Sequence, residues 1–148
     1  IGVVRLMADV TITSVATPLA GALNAFAWGT AGSAIALGDF VYRDSADSYK
    51  LKPADTTSAA KAAVAGIALN AAASGEPVRI QTAGRITLGA SLSVGMVYVL
   101  SGTSGAGNMC PVTDLDNTEY LTLLGACSAS ATLDLKLWAS GIYSQTSI

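Results

Sequence analysis

Histidine is absent from the sequence, charged side chains are scarce at 12%, and only two cysteines, Cys110 and Cys127, occur. Without an imidazole the usual Ser-His-Asp and Cys-His nucleophile arrangements are excluded, as are the HExxH zinc site and the commonest general base near neutral pH. The two cysteines are too few and too far apart for a disulfide framework or a zinc knuckle, and read as two buried thiols. Eight Lys and Arg against ten Asp and Glu leave a formal net charge of -2. That charge offers no cationic field to attract phosphates, which argues against nucleic acid as a ligand. No apolar run reaches the roughly 18 residues of a membrane-spanning helix, so a soluble chain with no membrane partner is expected. The opening Ile1-Gly2-Val3-Val4-Arg5-Leu6 shows no secretory signal pattern.

What the sequence does contain is apolar and small: 148 residues, 51% of them hydrophobic, with 15 glycines. The length favours one domain able to build its own core. A mean hydropathy of +0.51 is high for a free-standing monomer, and predicts that part of the apolar surface is covered by a partner.

From Val4 to Val15 the side chains alternate, with Leu6, Ala8, Val10 and Ile12 on one side and Arg5, Asp9, Thr11 and Thr13 on the other. This pattern predicts a half-buried strand or an extended arm. Residues 17–37 show neither a helical nor a strand period and read as an irregular connection carrying Phe26 and Trp28. Phe40-Val41-Tyr42, a polar turn over 43–48 and Tyr49-Lys50-Leu51 read as a hairpin. One short helix is expected at Ala59–Ala63, after the N-cap candidates Asp55 to Ser58. Short apolar runs follow at 78–81, 85–88, 97–100, 120–124 and 132–138, punctuated by Ser, Gly, Asn and Asp. Thr132-Leu133-Asp134-Leu135-Lys136-Leu137 alternates most clearly, which implies one wet face.

Self-similarity adds an architecture to this list of strands. Val41-Tyr42 matches Val97-Tyr98, Pro53 matches Pro111, Gly66-Ile67-Ala68 echoes Gly125-Ala126-Cys127, and Gly84 matches Gly141, all at offsets of 56 to 59 residues. The expectation is an all-β fold: a compact β-sandwich or barrel-like domain built from a duplicated β-unit, with an extended N-terminal arm and at most a short helix. Residues 1–37 form the arm and connection, and residues 38–148 the β-domain, with repeat units at about 38–86 and 95–142. The two halves are expected to share one core.

Groups able to do chemistry are sparse. Gly102, Gly105 and Gly107 fall in the wrong order for a dinucleotide-binding turn, and no lysine follows a phosphate-cradling glycine loop. Asp44 and Asp47, and likewise Asp114, Asp116 and Glu119, cluster in turns. Turn and N-cap preference explains them better than calcium ligation or a glycosidase pair. Tyr42, Tyr49, Tyr98, Tyr120 and Tyr143 read as packing residues, and the eight basic residues are scattered. No catalytic, cofactor-binding or metal-binding residue is assigned, and no enzyme is expected.

The phrases Gly38-Asp39-Phe40-Val41-Tyr42, Val64 to Asn70, Gly75 to Gly84, Gly95 to Ser101 and Leu137 to Gly141 resemble the capsid cement, or head decoration, proteins of tailed bacteriophages over about residues 35–142. The resemblance implies a non-enzymatic virion protein on the outer capsid surface, commonly a homotrimer, that clamps neighbouring major capsid protein subunits together. Its partners would be the major capsid protein and copies of itself. The opening 34 residues are not covered. From the alternation alone, Val3, Val4, Leu6, Ala8, Val10 and Ile12 are candidates for capsid contact, because an extended arm can add a strand to a neighbour's sheet. Deleting residues 1–12 is then expected to leave a folded protein that no longer decorates shells. The competing expectation is a receptor- or carbohydrate-binding β-module of a phage fibre or adhesin.

Overall fold

A computed structural model describes residues 9, 10, 12, 23–90, 92–102, 107–114 and 119–143. The chain is all-β and barrel-like, as its patterning predicts. Its strands are β1 (Ala25–Thr30), β2 (Phe40–Asp44), β3 (Lys50–Pro53), β4 (Val64–Ala68), β5 (Pro77–Thr87), β6 (Val97–Leu100), β7 (Met109–Pro111), β8 (Tyr120–Ala129) and β9 (Thr132–Tyr143), with one short helix, α1 (Ala59–Ala62). The order across the curled antiparallel sheet is β3-β2-β4-β5-β9-β8-β6-β7, with β1 also paired to β5. β2 to β5 and β6 to β9 therefore run through their own halves in the same sequence, and the halves meet where β5 pairs with β9.

The pairing register refines the repeat. Val41 and Tyr98 lie opposite Pro53 and Pro111, and opposite Gly66 and Gly125 on the other side. Val41 thus corresponds to Tyr98 rather than to Val97. In the last strand of each half, Ile80 and Gln81 correspond to Leu133 and Asp134, because Ala68 and Ile67 pair with the former as Cys127 and Ala126 pair with the latter. The offset drops there because residues 69–76 join β4 to β5, whereas only 130–131 join β8 to β9. The Gly84–Gly141 match is accordingly not a structural equivalence.

The interior is divided between two clusters. The larger draws Phe40, Tyr42 and Ile67 from the first half and Tyr98, Leu100, Met109, Leu124, Leu133 and Leu135 from the second. The smaller consists of Ala31, Ile35, Val41, Leu51, Ala68, Ala72, Val78 and Ile80, all from the first half and its leading segment. The expected single shared core is thus one shared cluster plus a private one. Around the private cluster the first half nearly closes on itself: β1 pairs with β5, and Ala31 just beyond it bridges in parallel to Leu51 of β3.

β5 serves both clusters because its alternation changes phase. Phe26 pairs with Gln81 and Ala25 with Ala83, so Thr82 is skipped, and Gly84 adopts a φ of 100°. Such a bulge turns successive side chains to one face. Val78 and Ile80 consequently point into the small cluster, and Ile86 and Leu88 into the large one.

Residues 25–30, expected to be irregular, are a strand. The period is hard to read because its usual chemistry is inverted: Phe26 and Trp28 face outward, while Ala27 and Gly29 face the small cluster. A β-carbon on Gly29 would lie 2.6 Å from Leu51 Cδ1, so no larger residue fits there without displacing a buried leucine. The helix follows its cap as anticipated, with Ser58 Oγ accepting the Lys61 N–H at 3.3 Å. Thr122 Oγ1 then donates to the carbonyl of Ala62, fastening α1 to β8.

Candidate interaction surfaces

Two surfaces stand out among the described residues. The first is the anchorage of the segment containing Asp9, Val10 and Ile12. β7 ends the strand order among the described residues, and Val10 lies on its outer edge with an antiparallel bridge to Met109. The Val10 N–H donates to the Met109 carbonyl at 2.8 Å. The Asp9 carboxylate accepts from Ser101 Oγ and, at 3.0 Å, from Asn108 Nδ2. Ile12 lies against Gly38, where a β-carbon would stand 2.6 Å from Ile12 Cγ2. A cleft of about 230 Å³ remains between the segment and its seat, lined by residues of 36–39 and by Asn108. Asp39 borders it; burial raises its carboxyl pKa, against the opposing effect of the Ala36 N–H that it accepts.

Of the residues assigned to the arm, Val10 and Ile12 pack against the large cluster of their own chain. Val3, Val4, Leu6 and Ala8 lie outside the described residues. The anchoring residues Gly38, Asp39, Ser101 and Asn108 carry no signal of this role in sequence, since polar and glycine residues at those places read as turns.

The second surface is the outward face of β1 and the adjoining part of β5. Trp28 is 64% exposed, and Leu23, just before the strand, is 92% exposed. Arg79, directly across from Trp28 in the register, lays its guanidinium over the Phe26 ring at 4.2 Å. This stacking fixes a cation beside an exposed indole. On the second half Trp138, paired with Leu123, is 53% exposed. Sequence patterning placed Trp138 in a strand and did not show which way its ring points.

The acidic turns have structural work. Asp44 caps the turn at Ser45–Asp47 by accepting from the Ala46 N–H at 3.0 Å. Lys52 reaches Asp44 at 2.8 Å and Asp47 at 3.2 Å, and Lys50 reaches Asp47 at 3.6 Å. Hydrogen bonding to Lys52 lowers the Asp44 pKa, and the same bonds raise that of Lys52. Asp114 closes a short 3-10 turn, Glu119 is buried, and Asp116 lies outside the described residues. Among the described residues, no group of three or more Cys, Asp or Glu is placed to hold a metal ion, and no helix is long and apolar enough to cross a membrane. Cys110 and Cys127 are both buried free thiols; burial, reinforced by the charge of Asp9, pushes the Cys110 pKa up to about 12.

Compared with protein-family models, curated proteins and solved structures, the chain matches none.

Proposed function

We propose that this protein is a structural virion component that binds the outer surface of an assembled phage capsid and stabilises contacts between major capsid protein subunits, acting as a homotrimer. Two lines support the reading: the resemblance of about residues 35–142 to head decoration proteins, and a surface suited to adhesion. The observation that carries it is the outward β1 face, where Trp28 and Leu23 stand exposed in a chain with only 12% charged residues. Apolar side chains of this size, left in water, favour burial against another protein, and about 1,600 Å² of buried area suffices for a specific contact. Repetition over a shell then multiplies a modest contact into a large stabilisation.

The test is co-sedimentation with purified empty heads, with mass in solution measured by light scattering. A trimer that pellets with heads supports the reading, and a protein left in the supernatant at every concentration overturns it. Because Val10 and Ile12 contribute to the chain's own core, removal of residues 1–12 would mix loss of reach with loss of packing. Removal of residues 1–8 keeps the anchor, so it separates the two; retained occupancy would discard the arm as a capsid contact.

The exposed indoles favour one second reading, a receptor- or carbohydrate-binding module. Trp28 beside the stacked Arg79 offers an apolar platform with a hydrogen-bond donor, the combination on which sugar rings dock. A reproducible glycan-array signal lost in Trp28→Ala would favour it over the capsid reading.

A further inference from the structure

We infer that the edge of β7 is a strand-binding groove whose resident ligand is the chain's own Asp9, Val10 and Ile12, and that the same residues of a second copy of this chain can take their place. The inference does not depend on the capsid reading, because it concerns only how one copy grips another.

The contacts that hold the segment are ones a second copy presents identically, including the packing of Val10 and Ile12 against the large cluster. On the acceptor side they involve Ser101, Asn108, Met109 and Gly38, and on the segment side Asp9, Val10 and Ile12. The groove reads an extended peptide in three ways. The Met109 carbonyl takes a backbone N–H at 2.8 Å, Ser101 and Asn108 hold one carboxylate through both its oxygens, and the glycine at position 38 leaves a notch for a β-branched side chain. This is β-strand addition to an open sheet edge, in which main-chain bonds supply affinity and alternate side chains supply specificity. Gly38 has a φ of 86°, so the notch is secured by backbone conformation as well as by the missing side chain.

None of these contacts requires that segment and groove belong to one chain. Asp9 and Asn108 are 99 residues apart in sequence, and Asp9 and Ser101 are 92 apart, so no local geometry ties them together. An element bound through contacts that an identical copy can reproduce is exchangeable between copies at little cost in free energy. The intramolecular segment wins in dilute solution through its high effective concentration, and close spacing of copies removes that advantage.

The experiment uses the full-length chain and a dye-labelled synthetic peptide of residues 5–15. Fluorescence anisotropy reads peptide binding, while circular dichroism confirms that each variant remains folded. Asp9→Ala in the protein weakens the resident without altering the groove, so the peptide is expected to bind that variant about tenfold or more tightly than the unaltered chain. Adding Asn108→Ala removes a partner of the peptide's own carboxylate and is expected to reverse the gain. Absence of peptide binding to folded Asp9→Ala protein, or binding indifferent to Asn108→Ala, would overturn the inference. Hydrogen exchange on the unaltered chain is an independent check. The Val10 amide is expected to exchange at least about a hundredfold faster than that of Leu69, which donates to the Arg79 carbonyl just past the end of β4. Equal protection at the two amides would mean that the segment never leaves its groove, which also overturns the inference.

Discussion

Gly66 and Gly125 hold the same station in the two halves of the sheet, and each is pressed against the backbone of the next strand at the corresponding residue. A β-carbon on Gly66 would come within 2.6 Å of the Gln81 carbonyl oxygen, and one on Gly125 would collide with the carbonyl oxygen of Asp134. Gln81 and Asp134 are themselves equivalent in register. The approach of β4 to β5, and of β8 to β9, is thus limited by the same missing side chain.

Alanine at either position should therefore be costly. Gly66→Ala and Gly125→Ala are each expected to destabilise the fold by about 2–4 kcal/mol, since backbone atoms must separate to admit the methyl group. Gly75→Ala, at a φ of 91° with nothing within 4 Å, should lose only about 1 kcal/mol. Urea unfolding of the three variants measures the difference.

The ion pairs of the β2–β3 hairpin make a prediction about pH. Asp44 titrates below its ordinary value in the folded chain, so its contribution is present above the unfolded value of 3.8 and is lost as pH falls through the lower folded value. Lys52 is shifted upward, so its share is present below 10.5 and is lost as pH rises through its folded value. Lys52→Met should raise the Asp44 pKa, as read by carboxyl chemical shifts in an NMR titration, and should flatten the acid limb of the stability curve.

Thiol chemistry should report unfolding cleanly. With both cysteines buried and the Cys110 pKa near 12, a thiol reagent at pH 8 is expected to modify neither in the native protein and both in denaturant. Because Cys110 keeps its proton in the folded state, stability should fall as pH rises above 9.0, the ordinary value of an exposed thiol, towards the folded value of about 12. Rapid native labelling would contradict the burial.

Trp28 separates adhesion from folding. Its ring makes little of the core, so Trp28→Ala is expected to change unfolding free energy by no more than about 0.5 kcal/mol while reducing occupancy on purified heads. Unchanged occupancy would remove the β1 face from the proposed contact.

Much of the framework is legible in the sequence where one face is wet and the other dry. Leu133 and Leu135 in β9 are fully buried and Lys136 is exposed, as their alternation requires. Ser58 caps the short helix for the same local reason that nominated it. β1 escapes this reading because its large side chains point to water and its small ones to the core. β7 escapes because Met109 and Cys110 follow a run of Ser and Gly that reads as loop. The repeat is visible as wording but misplaced by a residue at Val41, because the Val-Tyr pair sits one station earlier in the second half; bulges at the same station, between Val41 and Tyr42 and between Tyr98 and Val99, match Val41 to Tyr98. Among the interaction candidates, Val10 and Ile12 stand out by period alone, but nothing in the pattern says that Val10 is seated some hundred residues downstream on β7 or that Ile12 lies against Gly38.

The phase change at Thr82 makes β5 a single continuous rail through both halves. Tension applied to either half is carried along that rail into the other, where the β9 ladder resists it in shear instead of peeling open one bond at a time. Rupture of the molecule should accordingly be a single abrupt event, and a pulling experiment with handles on opposite halves should record one force peak instead of two.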